Sequence, residues 1–280
     1  MPIRNLAAFR LATSLIVFIV SLHANSQPVQ VTHARVELLS RQTAVSGKDF
    51  MLGVHFMMEK GWHIYWVNPG DSGQPPSFNW HLPSGFTAGD VQWPKPERMQ
   101  SSPTLADYGY HDDVLLAVRI QAPEFLNING GDLQFSVDAK WLICREVCIP
   151  DKAQLKLSLP PGTDNANSAT AKLFADTEKT LPAPWPRTWK AKLESQTSNF
   201  VLTIDAGKPI NKAFFFPLNP DQIDNPSPQL LRVQPRGAAI ALRKSELLTK
   251  PLARLSGVLV LGDGSAYRLD ASSIAAKAVK

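Results

Sequence analysis

Between residues 29 and 160 apolar and polar side chains alternate in short runs. VQVTHARVELLS (29–40) opens the series, and DFMLGVHF (49–56) sets Phe50, Leu52, Val54 and Phe56 on one face. GWHIYWVN (61–68) sets Trp62, Ile64 and Trp66 on one face and His63, Tyr65 and Val67 on the other. DVLLAVRI (113–120), LQFSVDAKWLI (133–143) and AQLKLSLP (153–160) continue the pattern. A period of two marks strands with one face in a core. Several short strands with turn residues between them predict an antiparallel, immunoglobulin-like β-sandwich over residues 27–160.

The alternation stops at PPGTDNANSAT (160–170), which is turn and linker chemistry. AKLFADTEKT predicts a short helix, and LPAPWPRTW (181–189) is a stiff, proline-rich spacer. Residues 161–188 are therefore expected to link two domains. Strands resume after Trp189 in NFVLTID, KAFFFPL, AAIALRK, SGVLVLGDG and YRLDASS. These predict a second, smaller sandwich over 189–280. It contains no cysteine or histidine, and no tryptophan after Trp189. A scaffold or docking role is the expectation for it. The fold class is thus all-β, with two sandwiches joined by a Pro-rich linker.

Composition supports this class. The chain of 280 residues is 44% apolar, with 23 prolines and 16 glycines, enough for real cores and many turns. The N-terminus reads as a signal peptide over residues 1–26. Arg4 and Arg10 give a basic start, residues 11–22 are apolar, and small residues follow. Cleavage after Ala24 or Ser26 is expected. The apolar run is shorter than the roughly 20 residues of a membrane span. The mature chain is therefore expected to be soluble and exported. The formal charge of +5 falls by two, to +3, once Arg4 and Arg10 are removed. No basic stripe remains for nucleic acid.

WLICREVCIP (141–150) holds both cysteines of the chain, Cys144 and Cys148. An oxidising compartment predicts a disulfide between them. As a staple it would contribute little, because a five-residue loop constrains the unfolded state by roughly 2 kcal/mol. Extended at about 3.3 Å per residue, the segment would separate its ends by about 13 Å, so Arg145, Glu146 and Val147 must turn. Structural zinc lacks a second ligand pair. Copper(I) suits two thiolates with a histidine or methionine, and C-x₃-C before a proline is similar to the copper motif of Sco-type chaperones. Those proteins alternate helices with strands, and this chain does not. A redox pair needs two close cysteines at an exposed turn, which the spacing supplies. Arg145 favours a thiolate and Glu146 opposes it, leaving the acidity open. From the residues alone the readings remain a structural bridge in a binding module, a copper site and a redox centre.

GWHIYWVNPGDSGQPPSFNWHLPSGF, WPKPERM, DYGYHDDVLLAVRI and WLICREVCIP, in this order, resemble the N-terminal periplasmic domain of DsbD-type disulfide reductases. The ScsB-like branch is the closer match. The resemblance covers about residues 28–160, and AFFFPLNPDQIDNPSPQ and LSGVLVLGDG resemble the second sandwich of that branch. It implies a periplasmic thiol-disulfide exchange protein that relays reducing equivalents through the Cys144–Cys148 pair. Cys148 would form the mixed disulfide and Cys144 would resolve it. Implied partners are thioredoxin-like exported proteins, and no cofactor is implied. An aromatic cap is implied over the pair, with its counterpart in residues 105–110. There Asp107 falls at the expected aromatic, with Tyr108 and Tyr110 beside it. His63 and Tyr65 are implied neighbours of the pair. The family's membrane and thioredoxin-like domains have no counterpart in this sequence, so a separate membrane electron donor is expected.

Overall fold

The computed structural model describes residues 25–126, 131–163 and 169–275. The expected signal segment lies outside these residues up to position 24. Twelve strands precede the first helix. They are β1 (Asn25–Ser26), β2 (Val29–Val31), β3 (Ala34–Ser40), β4 (Phe50–Met58), β5 (His63–Gly70) and β6 (Ser77–His81). After them come β7 (Thr87–Gln92), β8 (Glu97–Ser102), β9 (Leu105–His111), β10 (Asp113–Gln121), β11 (Leu133–Cys144) and β12 (Cys148–Leu159).

These strands form two sheets. One has the order β1-β12-β11-β5-β9-β8, with β6 also paired to β11. The other has the order β2-β3-β4-β10-β7. All pairs in both sheets are antiparallel. Alternation explains how they stack. Phe135, Val137, Ala139, Trp141 and Ile143 of β11 are all buried, as are Leu52, Val54 and Phe56 of β4. Phe56 meets Trp141 edge-on at 5.2 Å, and Phe50 meets Phe135 at 5.5 Å. Each such side chain, removed from water, stabilises the fold by roughly 1.5–3 kcal/mol. The result is an immunoglobulin-like sandwich.

Several strands are covered on both faces, among them β4, β5, β9 and β10. In β5 consecutive residues His63, Ile64, Tyr65 and Trp66 are all buried. Its second face is covered, and that cover forms part of the site described below. The segment expected to be a linker holds α1 (Ala169–Glu178), as the sequence suggests, but the helix is docked. Phe174 packs with Leu39, Leu115 and Ala117 on the outer face of the five-stranded sheet.

The remaining strands are β13 (Lys190–Ser195), β14 (Asn199–Asp205), β15 (Ala213–Pro217), β16 (Leu230–Gln234), β17 (Gly237–Arg243), β18 (Arg254–Leu261) and β19 (Ala266–Ala275). They form one hydrogen-bonded path, β15-β18-β19-β13-β14-β17-β16. The join between β13 and β19 is parallel and the other pairs are antiparallel. Phe200, Leu202 and Ile240 from one half meet Phe215, Leu255, Leu259 and Leu269 from the other in a single apolar cluster. This part is not isolated from the first. Phe216, Val258 and Ala266 join the sandwich's own core. Phe216 packs against Tyr108 at 5.1 Å and Trp66 at 6.3 Å.

Candidate functional site

The β11–β12 hairpin sets the cysteines opposite each other. Pairing runs without slippage from Leu133↔Leu159 to Cys144↔Cys148. Arg145, Glu146 and Val147 make the turn, closed by a bond from the Arg145 N–H to the Val147 carbonyl. The two Cα atoms lie 4.2 Å apart and the sulfurs are joined in a disulfide. The bridge is asymmetric: Cys144 is 1% exposed, whereas Cys148 is exposed.

Register decides which side chains reach the bridge. Cys144 pairs with His63 of β5, so His63 and Tyr65 share its face. Tyr65 is fully buried. Its hydroxyl donates to Cys144 Sγ at 2.9 Å and lies 3.3 Å from Cys148 Sγ. Burial, followed by the negative charge of Asp107, pushes the Tyr65 phenol above its usual range. Tyr65 is therefore a proton-bearing donor at neutral pH. The His63 ring lies edge-on to Tyr65 at 5.3 Å and to His111 at 5.4 Å. Burial and then the neighbouring His111 lower its pKa to about 4, so the imidazole is neutral. Its Nε2 is buried without a hydrogen-bond partner.

The turn after β5 roofs this face. Gly73 adopts φ +79°, and a Cβ there would stand 2.1 Å from Tyr65 Cζ. Only glycine brings the backbone that close to the ring. Ser72 fixes the turn, donating its N–H to Asp107 at 2.9 Å and its hydroxyl to the same carboxylate at 2.8 Å. Asp71 is anchored beside it, accepting from the Ala106 N–H at 2.7 Å. Burial raises the pKa of Asp107 against the hydrogen bonds from Ser72. On the outer side Arg145 lies over the Trp62 ring at 5.3 Å, and His33 stacks on that ring at 3.8 Å.

The residues singled out in the sequence are thus placed differently from one another. Cys144, Cys148, Tyr65 and His63 meet at one point. Asp107 touches the roof through Ser72 and does not cover the bridge itself. Residues 105–110, expected as a cap loop, belong to strand β9, hydrogen-bonded between β5 and β8. Alternation in β9 turns Tyr108 and Tyr110 away from the bridge. The Tyr108 hydroxyl donates to Asn225 Oδ1 at 3.0 Å, and that of Tyr110 to the Pro94 carbonyl at 2.8 Å. Asp71, Ser72 and Gly73 were missed in the sequence as neighbours of the bridge. Their signal was a GDSG turn directly after the strand carrying Tyr65. Among the described residues no group of three or more His, Cys, Asp or Glu side chains is arranged to hold a metal ion.

A sandwich with a disulfide at a hairpin tip, one sulfur outside and one beneath a tyrosine hydroxyl, has the make-up of a thiol–disulfide exchange domain. Residues 35–160 match the family "Thiol:disulfide interchange protein DsbD, N-terminal", and both cysteines lie inside the matched stretch. The fold of the chain is similar to the crystal structure of the N-terminal periplasmic domain of ScsB from Proteus mirabilis, with a TM-score of 0.70 at 16% identity. The likeness covers 90% of this chain and 98% of that one. No curated protein matches the chain in sequence. No helix among the described residues is long and apolar enough to cross a membrane.

Proposed function

We propose that the chain is an exported, periplasmic thiol–disulfide exchange protein that relays reducing equivalents through Cys144 and Cys148. Residues 27–160 form the redox domain, 161–188 a linker with a docked helix, and 189–280 a second sandwich. The observation that carries the reading is the asymmetry of the bridge. Exchange requires a thiolate to approach one sulfur in line with the S–S bond. Cys148 is open to that approach, and Cys144 is not.

In the reducing direction the Cys148 thiolate attacks a sulfur of the partner's disulfide. The partner's S–S bond breaks, its other sulfur leaves as a thiolate, and a mixed disulfide forms. Cys144 thiolate then attacks Cys148 Sγ, restoring the internal bridge and releasing the partner as a dithiol. Two electrons pass to the partner, and no cofactor takes part. Tyr65 holds a donor at both sulfurs, which favours whichever carries the negative charge. The partners are thioredoxin-like exported proteins, with a separate membrane protein supplying electrons.

Trapping tests this. With Cys144→Ser the mixed disulfide on Cys148 cannot resolve, so adducts with thioredoxin-like exported proteins should accumulate. The Cys148→Ser control should capture none. No adduct in either variant, or a reduction potential below about −300 mV as found for structural bridges, would overturn the reading.

A further inference from the structure

Asn225 lies in the stretch between β15 and β16, far from the cysteines in sequence, and is 6% exposed. Both ends of its amide are used. Nδ2 donates to Asp71 Oδ1 at 2.9 Å, and Oδ1 accepts from the Tyr108 hydroxyl at 3.0 Å. Its carbonyl, with that of Pro226, accepts from the Arg98 guanidinium at 3.1 and 2.9 Å. The backbone holding Asn225 is therefore itself held. Asp71 begins the turn that continues through Ser72 to Gly73, and the Gly73 backbone lies against the Tyr65 ring. Tyr65 in turn holds its hydroxyl on Cys144 and Cys148. A second tie runs in parallel: Asn68 Nδ2 donates to the Pro217 carbonyl, and Asn68 Oδ1 accepts from the Gly70 N–H.

We infer that Asn225 is a positioning residue for the disulfide, through which the C-terminal sheet holds the Asp71–Gly73 turn and so the Tyr65 hydroxyl on the sulfurs. The inference rests on the exchange reading for its significance, and on geometry alone for its existence. A hydrogen bond to a charged sulfur is stronger than one to a neutral disulfide sulfur. A well-held Tyr65 therefore favours the reduced pair, and loosening the turn shifts the equilibrium towards the disulfide. The second sheet, which contributes no reactive group to the bridge, would thus set how readily the bridge is reduced.

The test is the thiol–disulfide equilibrium constant of the full chain against a dithiol buffer, read by alkylation of free thiols. Asn225→Asp keeps the shape and the acceptor for Tyr108 but sets a carboxylate against Asp71. It should shift the constant towards disulfide by about three- to tenfold, tenfold being about 30 mV for this two-electron couple. Adding Asp71→Asn exchanges donor and acceptor and should restore the wild-type constant. A global loss of stability alone would not move a potential measured on folded protein. If Asn225→Asp does not fold, Tyr108→Phe frees Asn225 Oδ1 while keeping the ring, and should shift the constant the same way. A constant within twofold of wild type in the folded variant, or no recovery in the double variant, overturns the inference. The exchange reading fails separately, on a wild-type potential in the structural range, whatever the shift between variants.

Discussion

The Tyr65 hydroxyl stands 2.9 Å from Cys144 Sγ and 3.3 Å from Cys148 Sγ, so a single donor addresses both sulfurs of the bridge. The ring is fully buried, and the phenol is held protonated by burial and by Asp107. On reduction this donor faces a thiolate. A hydrogen bond to a charged group contributes about 1.5–3 kcal/mol. Tyr65→Phe keeps the ring and removes the donor. The more acidic thiol of the pair should then rise by about 1–2 pH units, at 1.36 kcal/mol per unit. Thiolate absorbance followed against pH measures it, and an unmoved titration would show that the contact has no part in thiol acidity.

The bridge also predicts unequal cysteines. In the reduced chain Cys148 should alkylate roughly tenfold or more faster than Cys144, because one sulfur is exposed and the other lies beneath Tyr65. Mass spectrometry of partly alkylated protein reads the ratio directly. Equal rates would mean that the reduced hairpin opens, and the division into attacking and resolving sulfurs would lose its structural basis.

Gly73 offers a steric test of the roof. A methyl group there would stand 2.1 Å from Tyr65 Cζ, with the backbone already at φ +79°. Gly73→Ala must displace the turn or the ring. Overpacking of this kind destabilises by about 1–3 kcal/mol. The expected outcome is a lower Tm together with a thiol acidity close to that of Tyr65→Phe. A lower Tm with unchanged acidity would separate the roof from the redox pair.

Much of this was legible because the sheet obeys a period of two. The faces of β11 follow from its alternation, and the turn at Arg145, Glu146 and Val147 follows from the separation that a disulfide between Cys144 and Cys148 allows. The same rule put Tyr65 and His63 on one face of β5. It did not say that this face would be covered, since a pattern along one strand carries no information about a roof supplied by another segment. In β9 parity sets Asp107 apart from Tyr108 and Tyr110, and the tyrosines face the core with their hydroxyls bonded to Asn225 and Pro94. The family resemblance implied a cap loop there, but hydrogen bonding to β5 and β8 makes the segment a strand. The contact between Asp71 and Asn225 spans 154 positions of the chain. No local pattern reports a pairing of that reach. The helix at 169–178 was legible as a helix but not as docked, because its single large buried side chain, Phe174, finds its pocket only on the assembled sheet.

His63 gives the site a pH signature. Its folded pKa is lowered to about 4, first by burial and then by His111, against an ordinary value of 6.5. Between those values the unfolded chain binds a proton that the folded chain refuses. Stability therefore rises with pH across this window and falls as the solution is acidified from 6.5 towards 4, by at most about 1.36 kcal/mol per unit for this one group. His55 acts in the opposite sense. Burial opposes its charged form, but hydrogen bonds and charges from Asp113 and Glu37 outweigh that and raise its pKa. It adds stability at low pH that is lost as pH rises through its folded value. The wild-type profile thus mixes two opposed histidines, and the difference from His63→Gln isolates one. Gln cannot take up the proton, so the variant should lose less stability than wild type on going from pH 6.5 to 4. Denaturant midpoints at a series of pH values measure the gap. Parallel profiles would mean that His63 protonates in the folded chain as it does in the unfolded one, and that the face it shares with Cys144 is open to water.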